Sequence, residues 1–147
     1  MKTRKYGGKN KSKKGTRRSS RLAKQKVVVG KIFADWCGYC KSLNGEWRKL
    51  KKMIKLGRGR DLTNSIFEFV ELGDTPKNRE KGITINYLLE NFNANRFPNG
   101  DQMLTIDNGY PTIFKVCNNK LEYYTGDRTA KEMFSWFTSK CPVSYVY

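Results

Sequence analysis

The chain has 147 residues, a length suited to one domain that can bury a core without staples. Its formal charge of +17 is unevenly spread. Twelve of the thirty Lys and Arg fall in residues 1–26, which hold no acid, leaving eighteen basic against thirteen acidic residues in the rest. Histidine is absent, which excludes imidazole bases, His-assisted nucleophiles and His-containing metal sites.

Residues 1–26 (MKTRKYGGKNKSKKGTRRSSRLAKQK) have almost no apolar side chains to offset ordering entropy, so a disordered basic tail is expected. No apolar h-region precedes the body and no run approaches the roughly 20 apolar residues of a spanning helix. A mitochondrial transit peptide would share the tail's charge, but the apolar face of such a peptide is lacking. The expected location is therefore non-secreted, cytoplasmic or nuclear, with Lys13-Lys14 and Arg17-Arg18 readable as a nuclear-import signal. Twelve flexible positive charges could also neutralise phosphates, giving non-specific nucleic-acid binding through residues 1–26.

Lys26 to Ala34 is a short apolar run rich in β-branched residues and predicts a largely buried strand. It runs into Asp35-Trp36-Cys37-Gly38-Tyr39-Cys40. From Cys40 to about Leu56 the apolar residues Leu43, Trp47, Leu50 and Ile54 mark one face of a helix, which Gly57-Arg58-Gly59 ends. Ser65 to Glu71 alternates like a strand. Gly73 to Gly82 reads as loop, Thr84 to Phe92 as a short helix, and Phe97-Pro-Asn-Gly100 as a turn. Thr112 to Cys117, Asn118-Asn119 and Lys120 to Thr125 form a hairpin signature. Thr129 to Lys140 is an amphipathic helix with Met133, Phe134, Trp136 and Phe137 on its apolar side. This order implies an α/β fold with a mixed four-stranded sheet flanked by helices, its first two strands parallel.

Four cysteines are present. Without a signal peptide, redox or metal chemistry is expected in place of structural disulfides. Cys37 would stand at a helix N-terminus, where free N–H groups and the dipole stabilise a thiolate. Cys40 lies one turn on, placed to attack a mixed disulfide formed at Cys37. Trp36 would screen the nucleophile, and Gly38 would leave room for a substrate backbone. Two blander readings compete. A zinc knuckle would need Cys117 and Cys141 to converge on the pair, and two unreactive loop thiols would need no role at all. Cys117 reads as a buried structural thiol; Cys141, beside Pro142, reads as exposed.

Three segments resemble the thioredoxin superfamily, and within it the catalytic domains of protein disulfide isomerases: Phe33-Ala-Asp-Trp-Cys-Gly-Tyr-Cys-Lys41, Gly109-Tyr-Pro-Thr-Ile113 and Tyr124-Thr-Gly-Asp-Arg-Thr129. They follow the family's order over most of Val27 to Lys140. The resemblance implies thiol–disulfide exchange with cysteine-containing protein substrates and a redox partner, catalysed by Cys37 and Cys40 with no cofactor and no metal. It also implies that Pro111 is a cis-proline facing the pair, with Tyr110 offering its main chain to an extended substrate.

The departures from the family are informative. Lys31 occupies the position, six residues before the first cysteine, where the family usually has a buried carboxylate. If cationic, Lys31 would favour a Cys40 thiolate; alternatively its stem packs while the ammonium reaches solvent. Gly45 stands where a kinking proline is common. Tyr39 replaces both the Pro of thioredoxins and the His of isomerases. The family's first strand and helix have no counterpart, which predicts a fold trimmed at the N-terminus over residues 27–147, and residues 73–109 form an insertion that reads as a substrate-facing loop or as padding, the latter slightly favoured. Around Cys37, Asp35 disfavours a thiolate while Lys41 and the helix dipole favour it. The alternative function is a nucleic-acid-associated protein using the thioredoxin-like body as an interaction module. Its Lys, Asn and Tyr usage resembles that of redox proteins packaged in virions of large DNA viruses.

Overall fold

The computed structural model describes residues 25–57, 62 and 65–141. The expected basic tail lies outside them, except for its last two residues, which open the first strand. Strand β1 (Gln25–Ala34) is followed by helix α1 (Gly38–Leu56), strand β2 (Ser65–Asp74), helices α2 (Pro76–Glu80) and α3 (Ile85–Arg96), strands β3 (Thr112–Cys117) and β4 (Lys120–Tyr123), and helix α4 (Ala130–Phe137). The sheet order is β2-β1-β3-β4. β1 pairs parallel to β2 and antiparallel to β3, and β3 pairs antiparallel to β4 through Asn118 and Asn119, both at positive φ as a tight hairpin turn requires. Among the described residues no helix is long and apolar enough to cross a membrane.

β1 is mostly apolar, Lys31 being its buried exception, because both its faces are covered. Val27 and Val29 join Leu43, Trp47, Leu50 and Ile54 of α1 and Met133, Phe134 and Phe137 of α4. Val28 and Ile32 face the other way, onto Leu89 and Phe92 of α3, Phe97 and Leu104. Gly30 permits the closest approach between strands: a Cβ there would lie 2.2 Å from the Phe114 ring. α1 ends where Gly57 adopts φ 61 and its N–H reaches the Ile54 and Met53 carbonyls.

Two expectations for residues 73–109 are corrected. Gly73 to Gly82 is not simply loop: Thr75 accepts a hydrogen bond from Asn78 N at 3.2 Å and Pro76 opens the short helix α2. The segment is not padding either, since Leu89, Phe92, Phe97 and Leu104 form half of the second core layer. α3 also runs to Arg96, past the predicted end at Phe92. Asn93 holds that extra turn, its side chain donating to Leu104 O at 3.0 Å and accepting from Leu104 N at 2.7 Å.

The second cysteine pair overturns a further expectation. Cys141 is not exposed; it is 4% accessible and disulfide-bonded to Cys117, which is fully buried. Cys117 ends β3, and α4 packs back on the same core, bringing Cys141 to a Cα separation of 5.7 Å. Lys115, 2% accessible, reinforces this corner by donating to Trp136 O at 2.7 Å and Ser139 Oγ at 3.2 Å, satisfying the end of α4.

Candidate active site

The site forms where β1 hands over to α1. Cys37 is the N-cap of α1 in an extended conformation, and its Sγ accepts the N–H of Cys40 at 3.2 Å. The sulfur thus takes the place of the usual Ser or Asp oxygen at a helix start, where N–H groups and the dipole favour negative charge. The Cys37 thiol also donates to Tyr110 O at 3.6 Å. The Tyr110–Pro111 peptide is cis. Cys37 and Cys40 are both unpaired, at 7% and 3% accessibility. Among the described residues no group of His, Cys, Asp and Glu is assembled to hold a metal ion. Cys117 and Cys141 are committed to each other, so they do not join the first pair as a zinc site would need.

Burial, with a further contribution from the Cys37 hydrogen bond, pushes the Cys40 thiol up to about 11. The two sulfurs therefore have different environments. Cys37 lies at the rim, next to exposed Trp36 and Tyr39, while Cys40 faces inward. A side chain at Gly38 would meet only open space, so the approach to the rim is clear.

Lys31 lies beneath the pair at 5% accessibility, its Nζ 4.7 Å from the Phe33 ring centroid and 5.2 Å from that of Trp47. The ammonium does not escape to solvent along its stem. Burial lowers the Lys31 pKa, opposed by the charge of Glu71, which stands opposite Lys31 in the β1–β2 register. Glu71 accepts from Trp47 Nε1 at 3.1 Å and pairs with Lys51 at 2.9 Å. Burial resists its charge, but these bonds prevail and its carboxyl sits below the usual carboxylate range. A carboxylate is thus present at this depth, on β2 and not on β1.

Sequence reasoning missed a second cluster, at the rim. Arg79 of α2 reaches Asp35 Oδ1 at 2.9 Å and Oδ2 at 3.3 Å, and Asp74 Oδ1 at 2.8 Å. Asp74 Oδ2 in turn accepts from Trp36 Nε1 at 3.1 Å, and the Trp36 ring meets Tyr110 edge-on at 5.3 Å. Arg79 holds the carboxyls of Asp35 and Asp74 below their usual range, so Asp35 does not face the cysteines as an unpaired charge. The signal was weak in sequence because β2 was expected to stop at Glu71. Its three further residues carry Asp74 level with Ala34.

The sequence model of the family described as Thioredoxin matches residues 10–139. A protein disulfide-isomerase A6 homolog of Drosophila melanogaster is 29% identical over 121 residues, covering 78% of this chain; the chain spans 21% of that relative's length. The first thioredoxin domain of mouse protein disulfide-isomerase A4 superimposes with a TM-score of 0.46 at 20% identity, over 82% of this chain and 71% of that one. The first two thioredoxin domains of Naumovozyma dairenensis Eps1p give a TM-score of 0.42 at 17% identity, over 86% of this chain and 39% of theirs.

Proposed function

The chain belongs to the thioredoxin family, and from that premise we propose that it is a thiol–disulfide oxidoreductase acting on protein substrates through Cys37 and Cys40. The observation that carries this reading is the sulfur of Cys37 at the start of α1, accepting the Cys40 N–H at 3.2 Å. In the reducing direction the Cys37 thiolate attacks one sulfur of a substrate disulfide. A mixed disulfide forms and the other substrate sulfur leaves as a thiolate. Cys40 then loses its proton and attacks Cys37 Sγ, releasing the second substrate thiolate and closing the Cys37–Cys40 disulfide. Two electrons pass from the dithiol to the substrate, and the reverse sequence oxidises a substrate dithiol.

Supporting roles follow from position. Trp36 and Tyr39 give the rim an exposed aromatic surface for substrate side chains, Gly38 leaves space for a backbone, and Tyr110, joined to Pro111 by a cis bond, offers its main chain beside Cys37. Lys31 acts from beneath. Its charge lowers the pKa of Cys40 against the larger effect of burial, easing the resolving step. The test is insulin reduction in the presence of dithiothreitol. Wild type should accelerate turnover and Cys37→Ser should return it to the uncatalysed rate; full turnover by Cys37→Ser would remove the proposal.

A further inference from the structure

In sequence, residues 27–147 carry their net charge in one segment. Helix α1 contains six basic residues against a single acid, Glu46, a balance of +5. The remainder of residues 27–147 holds twelve basic and twelve acidic residues and so nets zero. Four of the six, Lys41, Arg48, Lys52 and Lys55, are exposed and in no ion pair among the described residues, whereas Lys49 and Lys51 pair with Glu46 and Glu71. At about 100° per residue the four fall within about 40° of a single line along the helix. That line lies opposite the buried face of Leu43, Trp47, Leu50 and Ile54. It also passes over Gly45, where a Cβ would meet nothing.

We propose that this outer face of α1 is a docking surface for the phosphodiester backbone of duplex nucleic acid. The row from Lys41 to Lys55 is about 21 Å long, which runs beside roughly six phosphates of one strand. Its side chains are mostly lysines, point charges that attract phosphate without reading sequence. No aromatic ring stands in the row on which unstacked bases could lie, which favours a duplex over a single strand. An anionic membrane surface is a poorer fit, because an interfacial helix offers an apolar face to the lipid. The buried apolar residues of α1 are already committed to the core. Apart from Lys41, which adjoins Cys40, this surface is separate from the cysteine chemistry, and residues 1–26 would add to the same attraction.

The experiment uses the full chain and a labelled 20-base-pair duplex of arbitrary sequence, with affinity measured by fluorescence anisotropy across a salt series. Each lost phosphate contact lowers the slope of log K against log salt by about 0.9, so R48Q/K52Q/K55Q should flatten it by about 2.7 relative to wild type. The charge-conserving R48K/K52R/K55R should keep the wild-type slope. A control of equal charge loss, K77Q/K81Q/K120Q, removes exposed lysines elsewhere and should leave the slope in place. An unchanged slope in the α1 variant, or equal flattening by the control, would overturn the proposal. Equal loss of polyglutamate binding would overturn it too, by pointing to an acidic protein instead.

Discussion

Cys40 offers the sharpest quantitative handle on the site. Its thiol is pushed from an ordinary 9.0 up to about 11, first by burial and then by its hydrogen bond with Cys37. Each unit is tenfold in ionisation, so near neutral pH about one hundredth as much thiolate is present as in an unperturbed thiol. Reduced protein treated with iodoacetamide at a series of pH values, followed by peptide mass spectrometry, reads Cys40 separately from Cys37. Occlusion slows alkylation at every pH alike, whereas the pH at which the rate stops rising reports the titration alone. The Cys40 rate should climb tenfold per unit through pH 10 with no plateau. Removing the positive charge beneath it with Lys31→Met should slow Cys40 alkylation at every pH where Lys31 holds its proton, because that charge lowers the Cys40 pKa. A plateau at or below pH 9, or faster Cys40 alkylation in Lys31→Met, would refute the electrostatic account of the resolving cysteine.

Arg79→Gln should leave Asp35 without its ion pair and Asp74 with only the Trp36 N–H, altering Trp36 fluorescence; Cys37 alkylation at neutral pH should slow by a few-fold, less so in high salt. Equal rates at low and high salt would contradict this. Glu71→Gln takes the carboxylate from Trp47 and Lys31 and should cost about 1–3 kcal/mol in urea unfolding, while the double variant with Lys31→Met should cost less than the two single losses together. Strict additivity would show that the pair is not coupled. The folded-state pKa of Lys31 is lowered below 10.5, so between those values the unfolded chain holds a proton that the folded one has shed, and stability rises with pH. Lys31→Met should lose that share of the rise, and an unaltered pH slope would count against it. Replacing Cys117 and Cys141 with Ala opens a loop closed across 24 residues and should cost about 3 kcal/mol without abolishing turnover. Loss of turnover in a folded variant would assign that pair a redox role.

Local signals were the legible ones. The β-branched run of β1, the four apolar positions of α1 and the Cys37-Gly-Tyr-Cys40 junction each depend on neighbours within a few residues, and the elements stand where the pattern put them. What was missed depends on register and packing. Nothing near Lys31 in the sequence announces Glu71, which becomes its neighbour only because β1 and β2 align in parallel. Arg79 sits in a five-residue helix too short to show an apolar period, and its partners lie in two other segments. The Cys117–Cys141 bond follows from α4 folding back onto β3, and compositional rules about compartment argued against it.

In the proposed reaction Cys37 and Cys40 interconvert between dithiol and disulfide as a unit. Equilibrating the protein across a series of dithiothreitol redox ratios, quenching with acid and mapping disulfides by mass spectrometry tests it directly. A single two-electron transition linking Cys37 to Cys40, with Cys117–Cys141 intact through it, is the predicted result. Failure of a Cys37–Cys40 disulfide to form at any ratio would contradict the account.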